Sequence, residues 1–152
     1  MEKIASFTIN HDILTEGIYI SRIDGDITTY DIRMVRPNTP PFMEVAAMHT
    51  IEHIAATYLR NSEHKNSIIY FGPMGCRTGF YLLTRELPSD IVMELIVRAF
   101  SSIAGWEGDI PGTTSIECGN YLEHDLPTAK EYAEKFLLTA KNLTVQSLKY
   151  PE

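Results

Sequence analysis

The chain has 152 residues, 44% of them hydrophobic and 22% charged, with 13 basic against 20 acidic side chains and a net charge of −7. These are globular proportions, and one domain over residues 1–152 would bury roughly two-thirds of its unfolded surface. Acid excess without a Lys/Arg cluster argues against nucleic acid and anionic membranes as partners, and no segment approaches the roughly 20 apolar residues of a membrane span.

The N-terminus meets polar and charged residues too often for a secretory leader, so a cytoplasmic location is expected. Residues 17–23 and 26–35 are rich in β-branched and aromatic side chains and flank Asp24-Gly25, which predicts a β-hairpin. Residues 36–41 hold three prolines and must interrupt regular structure. From Met43 to Arg60, Met43, Ala46, Ala47, Ile51, Ile54, Ala55 and Leu59 recur at helical spacing. Residues 67–72 and 78–87 read as strands around the tight Gly72-Pro73-Met74-Gly75-Cys76 turn. Ser89 is the expected N-cap of a second helix over 90–104. A Gly-rich loop follows (105–114), then Cys118-Gly119-Asn120 in irregular backbone, then a last helix over 128–141. The pattern predicts an α+β two-layer sandwich: a mainly antiparallel sheet packed against helices, with a metal site on a central helix.

His49-Thr50-Ile51-Glu52-His53 carries that site. On a helix its two imidazoles lie one turn apart on one face and can bind one ion, with Glu52 beside them free to move protons. Cys118 supplies a third ligand, and two imidazoles plus a thiolate leave one open position, as catalytic centres do. His124 is a candidate fourth ligand, but closing the shell would quench catalysis, so a supporting role is expected. Cys76, beside Arg77 in a glycine-flanked turn, is a candidate acid/base group or nucleophile, with a packing turn as the alternative. A Cys76–Cys118 disulfide is disfavoured in a reducing compartment.

His49-Thr50-Ile51-Glu52-His53, the run Pro73-Met74-Gly75-Cys76-Arg77-Thr78-Gly79-Phe80-Tyr81 and Cys118-Gly119 together resemble the LuxS family of S-ribosylhomocysteine lyases. The likeness runs from Ser6-Phe7 through Asp31-Ile32-Arg33 and Arg36-Pro37-Asn38 to His124-Asp125-Leu126, most of the chain. It implies a cytosolic homodimer with two sites at the subunit interface, cleaving S-ribosylhomocysteine to homocysteine and 4,5-dihydroxy-2,3-pentanedione, the autoinducer-2 precursor. It implies one divalent metal per subunit, Fe(II) in the cell, with Zn(II) or Co(II) as substitutes. His49, His53 and Cys118 would be the ligands, Cys76 and Glu52 the acid/base pair, and Ser6, His11, Arg33 and Arg60 substrate contacts. One departure stands out. The family often has an aspartate six residues before the catalytic cysteine and a serine two residues after that aspartate, where this chain has Tyr70 and Gly72.

Two other readings compete. A small HxxEH metallopeptidase would use Glu52 to activate water. A non-enzymatic domain would close the metal shell with His124.

Overall fold

The hairpin forms as its residues predict. β1 (Gly17–Asp24) and β2 (Ile27–Arg33) pair antiparallel, and Gly25 takes the left-handed backbone, φ 61°, that the two-residue turn requires. β3 (Ile68–Pro73) and β4 (Gly79–Arg85) complete a four-stranded antiparallel sheet in the order β1-β2-β4-β3. The computed structural model describes all residues, Met1 to Glu152. Gly79 lies opposite Arg33, and a Cβ there would sit 2.0 Å from the Ile32 carbonyl oxygen. Only glycine lets β4 enter the sheet at that point.

Alternation along the strands sorts the two faces. Ile18, Tyr30, Ile32, Phe71, Phe80 and Leu82 are buried in the main apolar core. Asp31 and Arg33 alternate with Tyr30 and Ile32 and so lie on the other face, yet they are 0% and 2% exposed. The C-terminal residues account for this: Tyr150 reaches Asp31 and stacks on Tyr19 of β1.

Three helices cover the core face. They are α1 (Val45–Arg60), α2 (Ser89–Ala104) and α3 (Leu126–Ala140). Each turns one apolar stripe inward: Ala47, Ile51, Ile54 and Leu59 on α1; Val92, Leu95, Ile96, Ala99 and Ile103 on α2; Ala129, Ala133 and Phe136 on α3. α1 packs against α2, α3 and β3, which makes it the central helix.

The helix starts differ from expectation. Ser89 is the first residue of α2 and caps nothing; Pro88 precedes it, and the Ser89 hydroxyl instead meets Tyr30 Oη at 2.8 Å, tying α2 to the sheet. Serine at a helix start can serve either partner, and the buried tyrosine oxygen needs one. α3 begins two residues earlier than predicted, because Asp125 caps it by accepting from the Thr128 N–H and Pro127 fits the first turn. Met43 precedes α1 but is still buried in the core.

Candidate metal centre

Helical spacing places His49 and His53 on one face of α1, with ring centroids 4.5 Å apart. The chain after α2 folds back over that face. Cys118 Sγ comes within 3.4 Å of His49 Nε2 and 3.8 Å of His53 Nε2. His124 stacks on His49 with centroids 4.0 Å apart. One ligand atom from each of His49, His53, Cys118 and His124 falls within 4.8 Å of the others, so the four could hold one metal ion. Both cysteines are free thiols, which excludes the disulfide.

Hydrogen bonds on the far side of each ring fix which nitrogen faces the cluster. His49 Nδ1 lies 2.8 Å from the Glu123 carbonyl oxygen, and His53 Nδ1 lies 2.8 Å from that of Pro111. A carbonyl only accepts, so each Nδ1 carries the proton and each Nε2 presents a lone pair. His124 follows the same rule through Thr50. The Thr50 hydroxyl donates to the Ala46 carbonyl at 3.1 Å, so it must accept from His124 Nδ1 at 3.0 Å. His124 Nε2 is then buried with no hydrogen-bond partner, an orphaned acceptor beside the other three ligand atoms. Burial, and then the neighbouring His49 and His53, push the His124 imidazole down to about 4, keeping it neutral. Imidazole lone pairs and a thiol of this arrangement suit a borderline divalent ion such as Zn(II) or Fe(II). His124, the candidate fourth ligand, therefore stands within the cluster.

The loop residue Gly112 (φ 73°) makes the His53 contact feasible, since a Cβ there would come 3.1 Å from His53 Nδ1. Thr50 does more than hold His124. It also accepts from the Asp125 N–H at 3.0 Å, pinning the start of α3 to α1.

Glu52 lines two cavities. One, about 440 Å³, brings it together with His49 and the Pro73, Met74, Gly75 and Arg77 segment of the β3–β4 turn. The other, about 400 Å³, adds His53, Arg60, Tyr70 and Gly112. Arg60 donates to the Ile69 carbonyl at 2.9 Å, which holds it at that cavity's rim.

Cys76 stands on the neighbouring turn, exposed, with Sγ 3.0 Å from Thr78 Oγ1. It is not a member of the His/Cys cluster. Arg33 is buried and fully engaged, donating to Asp31 through Nε and Nη2 and to Thr78 through Nη1, so it reaches the site only through Thr78. Ser6 lines a separate pocket on the outer sheet face with Tyr70 and Tyr81. His11 binds its own Ile9 carbonyl at 2.9 Å. Ser6 and His11 line neither cavity beside Glu52.

Tyr70 and Gly72 form one unit. A Cβ on Gly72 would lie 2.0 Å from Tyr70 Oη and 2.4 Å from its ring carbon Cζ. The tyrosine ring occupies the space that a serine side chain would need.

A profile of the family described as S-Ribosylhomocysteinase (LuxS) matches residues 4–147. The S-ribosylhomocysteine lyase of Clostridium beijerinckii is 52% identical to this chain, with 99% of each chain covered. That of Clostridium acetobutylicum is 48% identical with 100% of each covered, and that of Borreliella burgdorferi is 49% identical with 99% of this chain and 100% of the relative covered. The match runs nearly end to end and takes in the helix and loop that build the cluster and the turn that carries Cys76; the chain belongs to the LuxS family.

Proposed function

We propose that this protein cleaves S-ribosylhomocysteine to homocysteine and 4,5-dihydroxy-2,3-pentanedione, the precursor of autoinducer-2. That product would serve bacterial quorum sensing, and the reaction would also serve the activated methyl cycle. The observation that carries the reading is the convergence of His49 Nε2, His53 Nε2 and Cys118 Sγ beside a cavity that Glu52 shares with the Cys76 turn. Family membership supplies the substrate. The peptidase alternative has no support in that membership and leaves Cys76 without a role.

His49, His53 and Cys118 would hold one divalent ion, Fe(II) in the cell with Zn(II) or Co(II) able to replace it. The ion would supply Lewis acidity to the sugar oxygens. The remaining work is proton movement. A C–S bond next to unactivated carbon breaks only when a carbonyl stands beside the carbon that loses its proton. The sugar carbonyl must therefore shift along the chain, each shift taking a proton from one carbon and returning one to its neighbour. Cys76 Sγ and the Glu52 carboxylate, presented by a turn and a helix, are the groups for these transfers. Once the carbonyl stands at C3, loss of the C4 proton expels homocysteine as its thiolate. No electron changes hands, so metals of different redox character can serve.

Arg60, beside Glu52 and His53, is the substrate contact from this chain's own cavity. Arg33 would support the site from within the protein. Ser6 and His11 line neither cavity beside Glu52, which is understandable if a second copy brings them to it. Exposed Ile4, Phe7, Ile13 and Tyr70 are apolar enough to pack in such a homodimer. One 26-residue apolar cluster spanning sheet and helices supports reading residues 1–152 as a single domain. No helix is long and apolar enough to cross a membrane, in keeping with a cytoplasmic location.

The test is anaerobic purification, metal analysis, and turnover of S-ribosylhomocysteine followed by free-thiol release. One metal per chain with metal-dependent thiol release is expected. A metal-loaded protein that releases no thiol overturns the assignment.

A further inference from the structure

The proposed reaction leaves one buried polar chain unexplained. Near the C-terminus, Tyr150 lays its ring on Tyr19 (centroids 5.0 Å, 18° between planes) and donates its hydroxyl proton to Asp31 Oδ2 at 2.6 Å. Arg33 donates to the same carboxylate, Nε to Oδ1 at 3.1 Å and Nη2 to Oδ2 at 2.6 Å. Its remaining nitrogen, Nη1, donates to Thr78 Oγ1 at 2.7 Å. A hydroxyl that accepts this proton still has its own to give. The nearest taker is Cys76 Sγ at 3.0 Å, against 4.0 Å for Met74 Sδ. A continuous hydrogen-bonded line thus joins residue 150 to residue 76.

We propose that Tyr150 is a positioning residue for Cys76. By sharing Asp31 with Arg33, its hydroxyl keeps the guanidinium directed at Thr78, whose hydroxyl then holds the cysteine sulfur in place for proton transfer. The titratable groups on and beside this line are Tyr19, Asp31, Arg33, Cys76, Tyr81 and Tyr150. Burial, reinforced by the Asp31 charge, raises the Tyr150 hydroxyl far above an ordinary phenol, so it remains a donor throughout the working range. Burial also opposes the Arg33 charge, but Asp31 more than offsets this and raises the guanidinium above its usual value. In a buried network each bond polarises the next, so a change at one end is felt at the other.

The proposal rests on Cys76 being the acid/base group, and its test is read partly without substrate. Tyr150→Phe keeps the ring and its stack and removes only the hydroxyl. The expected result is a kcat lowered about three- to tenfold with KM unchanged, the range of one hydrogen bond's net worth. Alkylation of Cys76 by iodoacetamide in the metal-loaded protein, corrected with Cys76→Ala, should slow by the same factor. In a Thr78→Val background, Tyr150→Phe should produce no further slowing, because the line is already cut.

Unchanged kcat and alkylation in folded Tyr150→Phe overturns the proposal. So does an equal slowing with and without the Thr78 hydroxyl. If Tyr150→Phe does not fold, Thr78→Val alone decides, and wild-type alkylation there is equally fatal. Failure of the lyase reading would show separately, as absent thiol release from wild-type protein while the alkylation comparison still reports.

Discussion

The helical layer and the outer sheet face organise their polar groups by different means. On α1 one local rule, side chains four residues apart, brings His49 and His53 together, and loops then add Cys118 and the carbonyls behind each ring. On the sheet, the surroundings of Cys76 come from β2, the β3–β4 turn and a tyrosine 119 residues from its partner Asp31. The helical site is a set of converging donors, each separately supported. The sheet site is a series, where each member depends on the next. Removing a member should therefore cost the helical site its ion, and the sheet site its chemistry or its fold.

The largest effect tests that division directly. Cys76→Ala should reduce homocysteine release by about 10²–10⁴-fold, the usual worth of an acid/base group, while leaving metal content at the wild-type level. His53→Ala should lose metal and activity together. Thiol release and metal analysis on the same preparations decide it, and full turnover in Cys76→Ala would remove the sheet face from the reaction. Next comes Asp31→Ala, which leaves the Arg33 charge buried with its main partner gone. A loss of about 3–5 kcal/mol is expected in urea denaturation, as for other broken buried pairs. A loss below about 1 kcal/mol would mean that water already reaches the pair.

Gly112→Ala should act on the helical site alone. Its methyl group would press on His53 Nδ1 and strain a left-handed backbone, weakening the bond to the Pro111 carbonyl that orients the ring. Metal affinity should fall about 10–100-fold, the usual cost of disturbing a ligand's support, measurable by competition with a chelator. The smallest effect belongs to the surface pair of Arg98 and Glu63. The hydrogen bond from Arg98 holds the Glu63 carboxyl at about 2, below its ordinary 4.5. Because the folded value is the lower one, the contribution is complete above pH 4.5 and is lost as pH falls toward 2. Glu63→Gln should lower thermal melting at pH 7 only slightly, because both side chains are about half exposed and solvent screens the pair. That small deficit should close as pH falls toward 2, where wild type has lost the same interaction, and a large drop at pH 7 would contradict the pair's exposure.

Much of the helical site can be read from residues 49–53, because helical spacing converts sequence distance into spatial distance. The hairpin at Asp24-Gly25 is legible for the same local reason. Cys118 follows from chemistry, as the third ligand that two histidines want. His124 is visible as a candidate, yet its place in the cluster depends on the 123–125 segment folding back onto α1. Thr50 looks like an ordinary helix residue between two histidines, and nothing local marks it as the partner of both His124 Nδ1 and the Asp125 N–H. Tyr150 is silent for the strongest version of that reason: its meaning lies on a strand at the other end of the chain. Ser89 misleads, since a serine before a helical run signals a cap unless a buried partner such as Tyr30 claims it. Tyr70 and Gly72 read as two separate departures from the family, and only the ring lying over the glycine shows them to be one change.

The support behind the three imidazoles has a consequence for handling the protein. Each ring is anchored at Nδ1 to backbone or to Thr50 by bonds that involve no ion. A chelator should therefore empty the centre without dismantling it, leaving a folded protein that reloads on addition of Zn(II) or Co(II). The unfolding free energies of stripped and reloaded protein would then differ only by mass action, about 2.7 kcal/mol at a hundredfold excess of free ion over its dissociation constant. Swapping metals becomes a titration of a finished receptor rather than a refolding experiment.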